Sequence, residues 1–545
     1  MNWFPLRNFT HYSLLKGFSK PDELVKKCSE NGYKACGICD YKSISGAVTF
    51  FQACHKYDVK PIIGCAFDNY ELFAKNKDGW FDLIKIVSSI NEDGNPDGRI
   101  LQDACRAGNL ICTSNNLANS PIKGDDFYMV SECLRSTYYT DKQHAALHRI
   151  ILCSGMKTTM PKIREMLRSD KLFDDQEFFE CDDFYLRNSK ELSEILINDI
   201  ENANVLHKIS DQCEEYDILN KPMLPIFPTP DGESEEEYLK ELCRDGWRNI
   251  LAKEGKVSDQ QDKDKYHHRF LHEFGVIEEA KLFGYFLIVR DIVHFVESNG
   301  WISGPGRGSA AGCLISYMIG ITKIDPIEFD LLFERFYNSG RNTGDHISLP
   351  DIDMDVPGNK RDDIINYLKD TYGHGNVSQM LTFGRLQGRS ALKEVLRVSG
   401  VCGFGLMNEM TKSIPNEADI SDQLAAMNDE DRSIIKWALI NNSNELRDYC
   451  FINDVGELQG DYAEYFKQAI DMEGTFKTQG KHAAGVVISK EELNRVCPMV
   501  NQKSSDEKIA GLEMADLEAL GHVKFDVLGI NLLDKLMKIK ELING

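Results

Sequence analysis

The chain has 545 residues, of which 42% are hydrophobic and 27% charged, the balance of an ordinary soluble protein long enough for several domains. A net charge of -23 argues against a general nucleic-acid coat protein, because the long-range field of such a chain repels phosphate. No apolar run is long enough to span a bilayer, Met1-Asn2-Trp3-Phe4-Pro5-Leu6-Arg7 lacks a signal-peptide layout, and the 16 cysteines lack secreted-type spacing, so a cytoplasmic chain with reduced thiols and no membrane partner is expected.

Residues 1 to about 225 alternate helical and strand-like segments. A helix is predicted over 21–32, a buried strand over 34–39, a helix over 45–57 and a strand over 60–67, which suggests a parallel barrel or wound sheet. Cys36-Gly37-Ile38-Cys39 has zinc-knuckle spacing, but it falls inside a predicted core strand, where cysteine acts as a small hydrophobe. His144 and His148, at i and i+4, lack a third ligand nearby and read as a helix face. The proline-rich stretch 224–232 reads as a linker ending in a turn. Next comes an acidic helix over 234–254, with Ser234 and Glu237 at capping-box spacing. A charged loop is expected over 260–268, then one or two helices over 269–299 with Gly284 as a break.

Gly304-Pro305-Gly306-Arg307-Gly308-Ser309-Ala310-Ala311-Gly312 follows. Its glycines permit positive φ and close approach of backbone N–H groups to an anion, and a helix is predicted after it over 313–319. It is not a P-loop, since no Gly-Lys-Ser/Thr follows at the required spacing. Arg335 and Arg341 come next, each with a planar fork suited to phosphate oxygens, and 342–347 looks like a small insertion.

In Leu349-Pro350-Asp351-Ile352-Asp353-Met354-Asp355 the carboxylates alternate with apolar residues, which predicts a strand with three Asp on one face. Like charges on one face repel unless neutralised, and a divalent cation is the economical explanation. Same-face neighbours lie about 6.6 Å apart, which lets two carboxylates bracket a pair of ions about 3.5–4 Å apart. Asp351 and Asp355, at about 13 Å, cannot both serve that pair.

From 386 to about 475 the pattern is helical, and Arg389, Lys393 and Arg397 recur at spacings of four. A Gly480-Lys481-His482 loop leads into a strand ending at 488, and a last strand, His522-Val523-Lys524-Phe525-Asp526-Val527-Leu528-Gly529, puts Lys524 and Asp526 on one face.

Gly306-Arg307-Gly308-Ser309-Ala310-Ala311-Gly312, Leu332-Phe333-Glu334-Arg335-Phe336, Pro350-Asp351-Ile352-Asp353-Met354-Asp355, Lys481-His482-Ala483-Ala484-Gly485-Val486-Val487-Ile488 and Lys524-Phe525-Asp526 occur in that order. Together they resemble the palm of the bacterial family C replicative polymerases, the DNA polymerase III alpha family. The resemblance implies a multidomain α/β and α+β protein. Its parts would be a PHP (polymerase and histidinol phosphatase) β/α barrel at 1–225, a polymerase beta-like nucleotidyltransferase palm sheet at 226–385 and 478–545, and a helical thumb at 386–477. It implies two-metal nucleotidyl transfer to a primer 3′ end, with Asp351, Asp353 and Asp526 as catalytic residues and ligands of two Mg²⁺ ions. Nucleotide contacts are implied at Gly306, Arg307, Gly308, Ser309, Arg335, Arg341 and Lys524, and DNA contacts at Lys481, His482, Arg389 and Lys393.

Metal-binding PHP domains open with alternating histidines, where this chain is expected to align Pro5, Arg7 and Phe9. Asp40-Tyr41, Ala66, Ser136 and Tyr138 replace further ligands, so no PHP metal and a scaffold role are expected. The sequence ends soon after Asp526, whereas the family continues through fingers, a clamp-binding region and an oligonucleotide-binding fold. The expectation is therefore half of a split polymerase or a shortened piece of one. Its expected partners are primer-template DNA, dNTPs and a second polypeptide carrying the fingers and C-terminal domains, with a proofreading exonuclease and a sliding clamp further along the replisome. Its expected compartment is the bacterial cytoplasm, or the host's for a phage-encoded chain. Two rival readings are a non-catalytic platform that recruits an exonuclease and a PHP phosphoesterase.

Overall fold

The computed structural model describes residues 4–130, 136–168, 178–197, 199–338, 340, 349–428, 431–502 and 505–544. Two units divide the chain, one made of Met1–Asp217 with Phe383–Gly480 and the other of Ile218–Thr382 with Lys481–Gly545.

In the first unit, strands β1 (Ala35–Tyr41), β2 (Lys60–Ala66), β3 (Glu71–Ala74), β4 (Leu110–Ser114) and β5 (Phe127–Met129) form a sheet in that order. Helices Pro21–Glu30 and Ala47–Lys56 alternate with β1 and β2, as the periodicity predicts. The sheet is mixed, however. β1 and β2 are parallel, but β3 runs antiparallel to both its neighbours, joined to β2 by a short turn and to β4 by a longer connection with the helices Lys77–Ser88 and Gly98–Arg106. Backbone hydrogen bonds Gly37 N to Pro5 O, Phe9 N to Thr137 O and Tyr138 N to Phe184 O, at 2.8, 2.8 and 2.9 Å, carry the wall on past β1 through three more extended segments. Cys36 and Cys39 are wholly buried on β1, with the Cys36 Sγ 3.3 Å from the Cys28 Sγ, so they are core residues. His148 is buried and donates Nε2–H to the Lys16 carbonyl at 2.7 Å.

The segment 383–480 of this unit is helical, with Gly388–Ser399, Phe404–Lys412, Ile434–Asn441 and Ala463–Met472 as its longer helices and a small hairpin, Phe451–Ile452 with Leu458–Gln459. Its apolar face shares a core with the N-terminal segment, joining Ile150, Ile151 and Cys153 to Leu392, Val395 and Phe466. The stretches expected as 1–225 and 386–477 therefore share one compact unit.

Glu394 sits in that core as a buried charge. It accepts from Ser154 Oγ at 2.6 Å, Arg397 Nη2 at 2.5 Å and Lys477 Nζ at 2.7 Å. Burial alone would raise its carboxyl, but the hydrogen bonds from Arg397, Lys477 and Ser154 outweigh it and bring the group down to about 2. A depressed carboxylate stabilises the fold above its unfolded value, about 4.5, and the contribution is lost as pH falls toward 2. Glu394→Gln should lower the unfolding free energy by about 2 kcal/mol at neutral pH. In denaturant titrations the deficit should shrink as pH falls below 4.5.

The second unit carries a six-stranded sheet. Its strands are β6 (Asp353–Pro357), β7 (Val377–Arg385), β8 (Phe476–Ile488), β9 (Met499–Gln502), β10 (Ser505–Ala510) and β11 (Val523–Ile530), in the order β9-β10-β7-β8-β11-β6. β8 and β11 are antiparallel, and β11 and β6 are parallel. Alternation decides the faces: Met354, Val356, Val486, Ile488, Val523, Phe525 and Val527 bury one side against Phe286, Ile288 and Ile292 of the helix Phe283–Ser298.

Three local expectations are corrected. Residues 260–268 are not a loop but the start of the helix Gln260–Glu279, because Asp259 caps it by accepting from Asp262 N at 2.8 Å. The break before Phe283–Ser298 falls at Lys281, with φ +54°, and Gly284 lies inside the helix, where an added Cβ would sit 2.9 Å from the Glu235 carboxylate. Gly480-Lys481-His482 is not a loop either, since β8 runs through it unbroken.

Candidate active site

The register of the sheet places Asp526 of β11 opposite Asp353 of β6 on one side and Gly485 of β8 on the other. β6 starts only at Asp353, so Asp351 precedes the strand and does not share its pleat. It is positioned instead from behind. Ile352 N donates to the Tyr285 hydroxyl at 3.2 Å, and the Tyr285 ring stacks on Phe525 at 5.4 Å. As a result, oxygens of Asp351, Asp353 and Asp526 lie within 4.8 Å of one another, a convergent group of potential metal ligands among the described residues. Asp355 is not among these converging oxygens and lies beside them, 3.2 Å from Arg307.

The donor set is three carboxylates, which suits a hard divalent cation. Asp526 is 8% exposed, and its Oδ1 is buried without a hydrogen-bond partner, an orphaned charge-bearing atom that a cation would satisfy. Two basic groups stand against the cluster. Lys524 Nζ lies 2.7 Å from Asp526 Oδ2 and 3.9 Å from Asp351 Oδ1, and Arg307 reaches Asp353 Oδ2 at 3.6 Å and Asp355 Oδ1 at 3.2 Å. Burial lowers the Lys524 amine, but its hydrogen bond to Asp526 and the charges of Asp526 and Asp351 prevail and hold it above its ordinary value. Asp351 is raised, mainly by burial, with Lys524 opposing and Asp526 and Asp353 adding.

The glycine loop lies against this strand. Gly304 N donates to Asp355 O at 2.9 Å, and a Cβ at Gly304 would come within 2.6 Å of the Asp355 Cβ. Gly306, at φ +90°, leaves no room for a Cβ beside Thr322. Ser309 lies in the 3₁₀ turn Gly308–Gly312. The helix after the loop is short, Leu314–Met318, and its leading N–H groups are taken: Glu273, fully buried, accepts from Leu314 N and Ile315 N, both at 3.0 Å. An anion at this loop would therefore be met by the loop amides and Arg307, not by the helix end.

The family model for the bacterial DNA polymerase III alpha NTPase domain matches residues 237–529, more than half of the sequence. The chain belongs to the bacterial DNA polymerase III alpha family. A PHP domain model matches residues 5–152. DNA polymerase III subunit alpha of Buchnera aphidicola from Schizaphis graminum is 28% identical, over 97% of this chain and 48% of that protein. The Aquifex aeolicus subunit is 27% identical over 98% and 52%, and that of Bacillus subtilis 28% over 100% and 50%. The chain spans about half the length of the curated relatives it matches.

In this polymerase III alpha family member the PHP residues make structural bonds. Arg7 pairs with Glu71 at 2.5 Å, and Thr113 donates to the other Glu71 oxygen at 2.6 Å. Asp40 is saturated by Thr10 N, Thr10 Oγ1 and Ser13 Oγ at 2.7, 2.7 and 2.6 Å. Arg7, Phe9, Ala66, Asp68, Glu71 and Tyr138 line a cavity of about 300 Å³.

The remaining expected site residues are placed as follows. Arg335 is exposed at the end of the 3₁₀ turn Phe333–Arg335, whose Phe333 is buried, and Arg341 lies outside the described residues, as does the insertion at 342–347. Lys481 is exposed on β8, and His482 accepts at Nδ1 from Ala484 N at 3.2 Å and Gly485 N at 2.8 Å, which leaves Nε2 to carry its proton. Arg389 is committed to the fold, donating to the carbonyls of Ile414 at 2.6 Å and Lys412 at 3.4 Å, whereas Lys393 lies half-buried on the same helix. Sequence reasoning missed Tyr285, Glu273 and Arg269, which donates to Gly312 O at 2.7 Å and Leu331 O at 3.0 Å. It also missed Arg361, which ties β11 to β8 through Val527 O at 3.0 Å and Ala484 O at 3.2 Å. They read as helix residues because nothing in a helical period says which buried polar group reaches a distant backbone.

Proposed function

We propose that this chain is the palm-bearing part of a family C replicative DNA polymerase, and that it transfers deoxynucleoside monophosphates to a primer 3′ end with two Mg²⁺ ions held by Asp351, Asp353 and Asp526. The observation that carries this reading is the convergence of the three carboxylates within 4.8 Å around the unpaired Asp526 Oδ1. Divalent ions bound there would supply Lewis acidity to the 3′-hydroxyl and charge neutralisation to the leaving pyrophosphate. The loop Gly306-Arg307-Gly308-Ser309 presents backbone N–H groups to the triphosphate, and Arg307, Lys524, Arg335 and Arg341 offset its charge. Lys481 and the Nε2–H of His482 meet nucleic-acid phosphates, with Lys393 contributing more weakly and Arg389 acting through the fold.

The PHP region holds no metal in this reading. The cation that metal-binding members need is replaced by Arg7 on Glu71, and the domain serves as scaffold. A second polypeptide, equivalent to the rest of the relatives, brings the fingers, and an exonuclease and a sliding clamp join the assembly in the cytoplasm. The test is primer extension by the chain alone and with such a polypeptide. Extension should need both, stop on chelation of Mg²⁺, and be absent in Asp353→Asn. Undiminished incorporation by Asp353→Asn overturns the assignment.

A further inference from the structure

The ion pairs around the carboxylates carry an inference that rests on the proposed function and goes beyond it. Each of Asp351, Asp353 and Asp526 has an oxygen turned toward a basic side chain. Lys524 serves Asp526 at 2.7 Å and Asp351 at 3.9 Å, and Arg307 serves Asp353 at 3.6 Å and Asp355 at 3.2 Å. The Lys524 side chain is 12% exposed, so its bond to Asp526 is sheltered, whereas Arg307 is half exposed. One oxygen of Asp526 is thus held by an amine while the other has no partner.

We propose that Lys524 and Arg307 are exchangeable counter-ions: they occupy the carboxylates until metal binds, and the metal releases them to the nucleotide triphosphate. Charge makes the exchange directional. Four carboxylates against two basic groups leave the site negative. Two divalent cations reverse that sign and leave an excess that only a polyanion balances. An amine cannot serve Asp526 Oδ2 and a phosphate oxygen with the same protons, so loading the carboxylates frees donors where the triphosphate must sit. Metal and nucleotide then bind cooperatively, because each removes a competitor of the other.

The inference gives one substitution opposite effects on two ligands. Lys524→Met should tighten Mn²⁺ binding to the nucleotide-free chain about tenfold, since a short sheltered pair no longer competes. At saturating Mn²⁺, the same variant should bind a fluorescent deoxynucleoside triphosphate about tenfold more weakly. Arg307→Met should show the same signs with smaller changes, and it removes a half-exposed side chain, so its fold is not at risk. Lys323→Met is the charge-matched control. Lys323 adjoins the loop through its N–H to Pro305 O but pairs with Glu297 at 2.6 Å, outside the cluster, and its loss should leave Mn²⁺ affinity nearly unchanged.

Free Mn²⁺ is counted by electron paramagnetic resonance, with Asp526→Asn defining the site. If Asp526→Asn removes a bound Mn²⁺ but Lys524→Met and Arg307→Met bind it no more tightly than Lys323→Met, the counter-ion role is overturned and the metal site stands. If the wild-type chain holds no Mn²⁺ that Asp526→Asn removes, the functional reading itself fails.

Discussion

Asp526→Asn should cut nucleotide incorporation by the assembled enzyme about a thousandfold or more, with the fold intact. Asparagine keeps the shape of the side chain and removes the charge, so the change isolates the electrostatics. Asp526 is the most buried of the three carboxylates and the one with an orphaned oxygen, and it lies in register between Asp353 and Gly485. Its amide would bind a divalent ion weakly and would leave Lys524 with Asp351 alone at 3.9 Å. Unfolding free energy should move by no more than about 1 kcal/mol, because the lost Lys524 pair is offset by relief of repulsion among the carboxylates. Asp355→Asn is the internal contrast. It touches Arg307 and the loop but not the converging oxygens, and it should cost only about tenfold. Single-turnover incorporation separates the two outcomes, and equal losses would remove the distinction drawn between Asp526 and Asp355.

The second large effect is on stability and is set by pH. His11 is buried, stacked on Phe476 at 3.9 Å, with its Nδ1 lacking a hydrogen-bond partner, and burial brings it down to about 3, helped by Lys20 and Arg385. Burial likewise brings His148 to about 4, against its hydrogen bond to Lys16 O, and His522 in the other unit to about 4. These groups stay neutral in the fold and protonate near 6.5 when unfolded, so below that value the unfolded chain binds more protons and stability falls with pH. Between pH 7.5 and pH 5 each should cost its unit about 2 kcal/mol. Denaturant unfolding across that range should show the loss, and His11→Phe should remove its share while keeping the stack. A flat profile from pH 7.5 to pH 5 would contradict the buried neutral imidazoles.

Much of the site was legible because it obeys a period. The alternation in 522–529 put Lys524 and Asp526 on one face, which is where they lie, and the glycine spacing of 304–308 marked a loop whose backbone approaches a neighbour closely. The strand predicted for 349–355 starts late, since Asp351 is held by Tyr285 and not by pairing, and a hydroxyl from a distant helix leaves no local pattern. The helix from Gln260 was obscured by its polarity: all of its first nine residues except Tyr266 are Gln, Asp, Lys or His, and the cap at Asp259 outweighs that polarity. Arg389 shows the converse failure. A basic residue at helical spacing looked free for phosphate, but its guanidinium is spent on carbonyls twenty-three and twenty-five residues along the chain.

The pin between Gly304 and Asp355 separates distance in space from distance along the chain. With both ends of the intervening excursion fixed at one crossing, its length is free to drift: doubling such a loop costs only about 0.6 kcal/mol in closure entropy. Insertions in the middle of that excursion, away from Arg307 at one end and from Asp351 and Asp353 at the other, are therefore the changes that descent can make while the carboxylates stay in place, whereas one added methyl at Gly304 would part the crossing itself.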